Sequence, residues 1–188
     1  DDIWVVGEIQ MPDPDSSWNG TGRERYNAIH WDGEEWDLMR LWDHDRHHYI
    51  GMERILYYSE DNIWLTSKGT INHYDGQKVE ELWTIGRYEY GGIRNFWASS
   101  ESDMYFAGRK GVIVHYNGSE FNNMESGTDI QLRDIAGKND NVFVTGWDYS
   151  GGSIALTLKE DQWQTLFESE TYFGNLDERN YGKIKGVD

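Results

Sequence analysis

Residues Glu60–Val79 read EDNIWLTSKGTINHYDGQKV. Two runs rich in β-branched and aromatic residues, NIWLTS and TINHY, are separated by Lys-Gly and closed by Asp-Gly. Short apolar runs bounded by such dipeptides indicate antiparallel strands joined by tight turns, because glycine takes the positive φ that a two-stranded turn demands. The same pattern recurs along the chain. The first run has counterparts in DDIWVVG from Asp1, ESDMYFAGRKG from Glu101 and NDNVFVTG from Asn139. Counterparts of the second run are NAIHWDGEEW (27–36), VIVHYNGSEF (112–121) and a divergent IALTLKEDQW (154–163). A period near 40 residues with four strands per unit is the signature of propeller blades.

An innermost strand for each unit is expected at MERILYYSE (52–60), GIRNFWASS (92–100), LRDIAGKND (132–140) and YGKIKGVD (181–188). The spacing is regular: Ile55 precedes Ile63 by eight residues, Phe96 precedes Met104 by eight and Ile135 precedes Val142 by seven. Joining Ile184 to Ile3 across the two chain ends also gives seven. The ends therefore match in register, which admits a closed four-bladed ring or a window of a larger propeller. The expected fold is all-β: a β-propeller of four four-stranded antiparallel blades, approximately 1–42 (with 181–188 as its inner strand), 50–85, 92–126 and 130–168, forming one domain or segment.

The units resemble those of bacterial propeller repeat proteins of the two-component-regulator and extracytoplasmic lipoprotein type. The resemblance rests on Asp61 to Gly69 followed by Thr70 to Gly76, and on the equivalent stretches of the other units. It implies the fold and a place outside the cytoplasm, and names no activity. The Gly-His and Trp-Asp pairs of WD40 blades, the double glycine of kelch blades and the sialidase-type aspartate box are missing from the sequence.

Composition limits the partners. The chain has 188 residues, with 17 Lys plus Arg against 34 Asp plus Glu and a formal net charge of −17. Such a surface repels nucleic-acid phosphates and anionic lipid headgroups, so no nucleic acid is expected as a partner. No cysteine is present, which excludes disulfides, thiol catalysis and Cys-ligated zinc. No apolar run approaches the ~18 residues of a membrane span, and no membrane insertion is expected. Nucleophile, phosphate-loop and dinucleotide motifs do not occur. The expectation is a non-catalytic binding module without a cofactor, and no catalytic residue is singled out.

The two ends of the blades differ. Connections at one end are short: SEDN, SESD, KNDN, DGEE, DGQK and NGSE. Those at the other end take the extra length, at 8–26, 42–50, 86–92, 147–152 and 168–180. Long loops on a rigid scaffold are where binding residues gather. The candidate ligand-binding residues are therefore Trp18, Trp42, Tyr49, Tyr88, Tyr90, Arg109, Trp147, Asp148, Tyr149 and Tyr172, with Arg87 and Arg179 beside them. Tyr, Trp and Arg dominate protein-interface hot spots, and aromatic platforms among polar groups also suit sugar rings. A protein or glycan partner is expected on that end, the alternative reading being a lectin or a glycan-active enzyme.

Asp43, His44, Asp45, His47 and His48 in WDHDRHHYI offer imidazole and carboxylate ligands within six residues, a candidate site for a divalent metal. His30, His73 and His115 recur on the third strand of the first three units. Equivalent positions in successive blades cannot converge on one atom, so a hydrogen bond within each blade is expected instead.

Overall fold

The computed structural model describes residues 2–12, 23–41, 51–67, 69–84, 92–139, 141–149 and 151–169. In chain order the strands are β1 (Ile3–Pro12), β2 (Arg23–Trp31), β3 (Trp36–Met39), β4 (Arg54–Ser59), β5 (Asn62–Ser67), β6 (Thr70–Tyr74), β7 (Val79–Thr84), β8 (Ile93–Ser100), β9 (Asp103–Gly108), β10 (Ile113–Tyr116), β11 (Phe121–Met124), β12 (Leu132–Lys138), β13 (Asn141–Trp147), β14 (Ser153–Lys159) and β15 (Gln162–Ser169). A 3-10 turn, Arg109–Gly111, joins β9 to β10. Three sheets are four-stranded antiparallel meanders, β4–β7, β8–β11 and β12–β15, and β1–β3 form the fourth. Residues 181–188, expected beside β1, lie outside the described residues.

The chain divides into two compact units, Asp1–Thr84 and Ile85–Asp188. Each contains two sheets packed face to face, and the alternation of side chains along a strand decides which residues meet. In the first unit Trp4, Val6, Ala28 and Met39 of the first sheet pack on Ile63, Leu65, Tyr74 and Val79 of the second. In the second unit Tyr105, Ala107, Ile113 and Met124 pack on Val142, Val144, Ile154 and Leu156. Both interfaces use the second-strand positions of Trp4 and Val6 or Tyr105 and Ala107 against those of Ile63 and Leu65 or Val142 and Val144. The second strand of three of the four sheets supplies a buried pair, Ile63 and Leu65, Met104 and Phe106, or Val142 and Val144.

Two sheets approach closely beside Gly137, where a β-carbon would lie 2.6 Å from the Trp97 ring. A different constraint governs the ends of β9 and β13. A β-carbon on Gly108 would meet the Gly92 carbonyl at 2.3 Å, and one on Gly146 would meet the Gln131 carbonyl at 2.4 Å. There the chain entering the inner strand crosses the second strand and bonds to it, Arg109 N–H to Gly92 O at 2.9 Å and Trp147 N–H to Gln131 O at 3.0 Å. The glycine that ends the second-strand motif in β9 and in β13 thus admits the crossing backbone.

At the short-turn end one device recurs three times. The Asp32 carboxylate accepts backbone N–H bonds from Glu34 and Glu35 at 2.7 and 2.9 Å. Asp75 does so from Gln77 and Lys78 at 3.0 and 2.9 Å, and Asn117 from Ser119 and Glu120 at 3.0 and 2.9 Å. The following Gly33, Gly76 and Gly118 take φ of 106°, 86° and 91°. The divergent fourth turn instead places Glu160 and Asp161 at φ 49° and 59°, a left-handed pair costly for residues with a β-carbon.

One expectation is corrected. Residues 8–12 and 23–26, assigned to a loop by the sequence reading, are paired strand, with register continuing to Pro12 opposite Arg23. A bulge between Val6 and Ile9 shifts the pairing by one residue. Beyond it, Arg25 lies 4.0 Å from Glu8 and Arg23 donates to Gln10 at 3.3 Å, cross-strand polar pairs that suit an exposed ribbon.

Candidate binding surface

The three histidines are structural. His30 Nε2 lies 2.5 Å from Asp2 Oδ1, His73 Nε2 3.0 Å from Asn62 Oδ1 and His115 Nε2 2.7 Å from Asp103 Oδ1. Each bond links the third strand to the first residues of the second strand of the same sheet. Each ring also lies against the aromatic two residues after that partner: Trp4 at 4.4 Å, Trp64 at 5.3 Å and Tyr105 at 4.3 Å between centroids. Burial lowers the His73 pKa below 6.5, favouring the neutral ring in the fold. Asp2 takes a second bond, from the Tyr57 hydroxyl on the neighbouring sheet. That bond, first, and the one with His30 hold the Asp2 carboxyl below its ordinary range, and the Tyr57 hydroxyl is pushed up to about 12.

At the opposite end of the second unit the chain builds a stacked group. β13 ends on Trp147, and a tight turn follows. Asp148 N–H donates to the Gly152 carbonyl at 3.0 Å, and Asp148 Oδ1 accepts from the Gly151 and Gly152 N–H groups at 3.1 Å each. Gly151 takes φ 108°, which favours glycine there, and a β-carbon on Gly152 would lie 2.9 Å from Cδ1 of Ile130. The turn projects Tyr149, which is 75% exposed. Its ring meets Trp147 edge-on at 5.3 Å.

Arg133, at the start of inner strand β12, completes the group. Its guanidinium carbon lies 3.6 Å from the Trp147 ring centroid and 5.8 Å from that of Tyr149. Its Nε donates to the Trp147 carbonyl at 3.0 Å. An Arg held by stacking and one hydrogen bond keeps most of its five donors for other groups and has lost its rotamer freedom in advance.

Of the residues singled out from sequence, Trp147, Asp148 and Tyr149 are brought together here, with one oxygen of Asp148 engaged by its own turn. Arg109 is exposed on the 3-10 turn Arg109–Gly111, at the same end of its own sheet. Trp18, Trp42, Tyr49, Tyr88, Tyr90 and Tyr172 lie outside the described residues, as do Arg87 and Arg179. Asp43, His44, Asp45, His47 and His48 lie outside them as well. Among the described residues no group of three His, Asp or Glu is placed to hold a metal ion, and no helix is long and apolar enough to cross a membrane. Sequence reasoning missed Arg133, although Ile93-Arg94-Asn95-Phe96 and Leu132-Arg133-Asp134-Ile135 carry Arg at the same inner-strand position.

No family model matches the chain, and no curated protein matches it. Among solved structures it is similar to a β-propeller described as YCF48 bound to D1 peptide, with a TM-score of 0.53 and 12% sequence identity. The alignment covers 88% of this chain and 57% of that one, so the chain spans a little over half the length of the structure it matches. At this identity the likeness speaks for architecture. The chain has the all-β propeller fold, built from antiparallel blades.

Proposed function

We propose that the chain is a non-catalytic protein-recognition module that takes a peptide segment at the blade end bearing Arg133, Trp147 and Tyr149. The observation that carries this reading is the stack itself, in which a half-buried Arg lies on a Trp under an exposed Tyr. Arg, Trp and Tyr are the residues that most often anchor protein interfaces, and a pre-ordered cluster binds with less loss of side-chain freedom. The structurally similar propeller carries a bound peptide by its description, which agrees with this reading without naming a ligand for this chain. The resemblance of the repeat units to those of bacterial extracytoplasmic propellers favours a place of action outside the cytoplasm.

Arrayed short peptides probed with the labelled full chain test the proposal. Bound peptides should lose affinity about 5- to 30-fold on Arg133→Ala and on Tyr149→Ala, the range of a hot-spot residue. Capture of glycans and of no peptide, or peptide binding unchanged in both variants, contradicts it.

A further inference from the structure

The hairpin turn at 117–120 departs from its two counterparts in a single side-chain group. Asp32, Asp75 and Asn117 hold the same position, each followed by a glycine at positive φ. Each side-chain oxygen accepts the backbone N–H groups two and three residues on. Of the three, Asn117 presents an amide, whose nitrogen can leave as ammonia, whereas an ionised carboxylate has no comparable leaving group. Asn117 Oδ1 also takes a third donor, the Ser119 hydroxyl at 2.9 Å. Residues 117–120 are exposed to water. Gly118 has no side chain to shield its backbone nitrogen, and the turn keeps it so: its φ is 91°, and a β-carbon there would lie 2.8 Å from that of Ser102. Among the described residues nothing accepts the Gly118 N–H.

We propose that Asn117 is a site of spontaneous modification, deamidating through a cyclic imide formed with the backbone nitrogen of Gly118. The Gly118 N–H gives its proton to hydroxide, and its nitrogen bonds to Cγ of Asn117. Negative charge then collects on Oδ1, where the Ser119 N–H, the Glu120 N–H and the Ser119 hydroxyl already converge, and hydrogen bonds to a charged acceptor are the stronger kind. The Cγ–Nδ2 bond breaks, and the nitrogen departs as ammonia after taking a proton from water. Water next opens the imide. Attack at Cγ restores the Gly118 N–H and leaves aspartate, while attack at the Asn117 backbone carbonyl leaves an isoaspartyl link. The aspartate product suits the fold, since Asp32 and Asp75 close their turns with the same pair of backbone bonds. Deamidation thus converts this turn into the form of its two counterparts and adds one negative charge at that end of the sheet.

Peptide mapping by mass spectrometry of the full chain, aged at neutral and at mildly alkaline pH, tests this. The peptide holding Asn117 should gain the mass of an amide-to-acid exchange at a rate that rises with hydroxide, ahead of the asparagines not followed by glycine. Ser119→Ala removes one of the three donors and should convert about 2- to 10-fold more slowly, the range of one hydrogen bond. In urea the donors disperse, and parent and variant should convert alike. An Asn117 that keeps its amide while other asparagines convert overturns the proposal. So does a folded Ser119→Ala that converts as fast as the parent, or a difference between the two that is as large in urea as in the native chain.

Discussion

At the scale of the residue, the structure turns on polar groups that stand in for backbone. Asn27 is fully buried; its Nδ2 donates to the Leu41 carbonyl and its Oδ1 accepts from the Leu41 N–H, both at 2.7 Å. The side chain thus pairs with both backbone polar groups of one residue, as a residue on a neighbouring strand would. Asn27→Ala leaves a buried donor and acceptor unmade and should cost about 2–4 kcal/mol in urea unfolding. The turn carboxylates behave differently, because they are exposed and act by accepting N–H bonds. Backbone bonds from Glu35 and Glu34 lower the Asp32 pKa below 3.8, and bonds from Lys78 and Gln77 do the same for Asp75. A depressed folded pKa contributes stability that is present above the unfolded value and lost as pH falls through the folded one. The melting temperature should therefore fall between about pH 4 and pH 2, and Asp75→Asn, which copies Asn117, should flatten that limb. An unchanged acid limb in Asp75→Asn counts against the turn's contribution.

At the scale of the element, the repeats share one plan and depart from it where their residues change. The fourth sheet lacks the histidine device, having Thr157 where the others have His, and its last hairpin turns on Glu160 and Asp161 rather than Asp-Gly. Asn and Gly relieve a left-handed pair, so Glu160→Asn with Asp161→Gly should stabilise the chain by about 1 kcal/mol, read as a rise in denaturation midpoint. Sheet-to-sheet packing is the other element-level constraint. Gly137→Ala drives a methyl into the rigid Trp97 ring and should destabilise by about 1–3 kcal/mol, while Ala136→Gly, one residue away, should cost less. Equal losses from the two changes would show that the close approach does not matter.

At the scale of the whole molecule, much of the fold was legible in the sequence because each unit repeats it. The run-turn-run of Glu60–Val79 gave strands, turns and the histidine position together, and the structure pairs Trp64 with His73 and Ile63 with Tyr74 accordingly. The ribbon at 8–12 and 23–26 was not legible. Its mixed polar residues look like a loop, and pairing there depends on cross-strand partners and on a bulge that no single strand announces. Part of the site was legible, since Trp147 and Tyr149 stand in an aromatic loop, but Arg133 looks like any strand residue until β12 and β13 lie side by side. In the second unit the two blade ends then differ in what they present: the Asn117-Gly118 hairpin at one, a stacked Arg133, Trp147 and Tyr149 at the other.

That separation is the central claim, and hydrogen–deuterium exchange with and without a captured peptide tests it most directly. The account predicts added protection at 131–133 and 147–152, with none at the 60–61, 101–102 and 117–120 turns. Protection confined to those turns would contradict it.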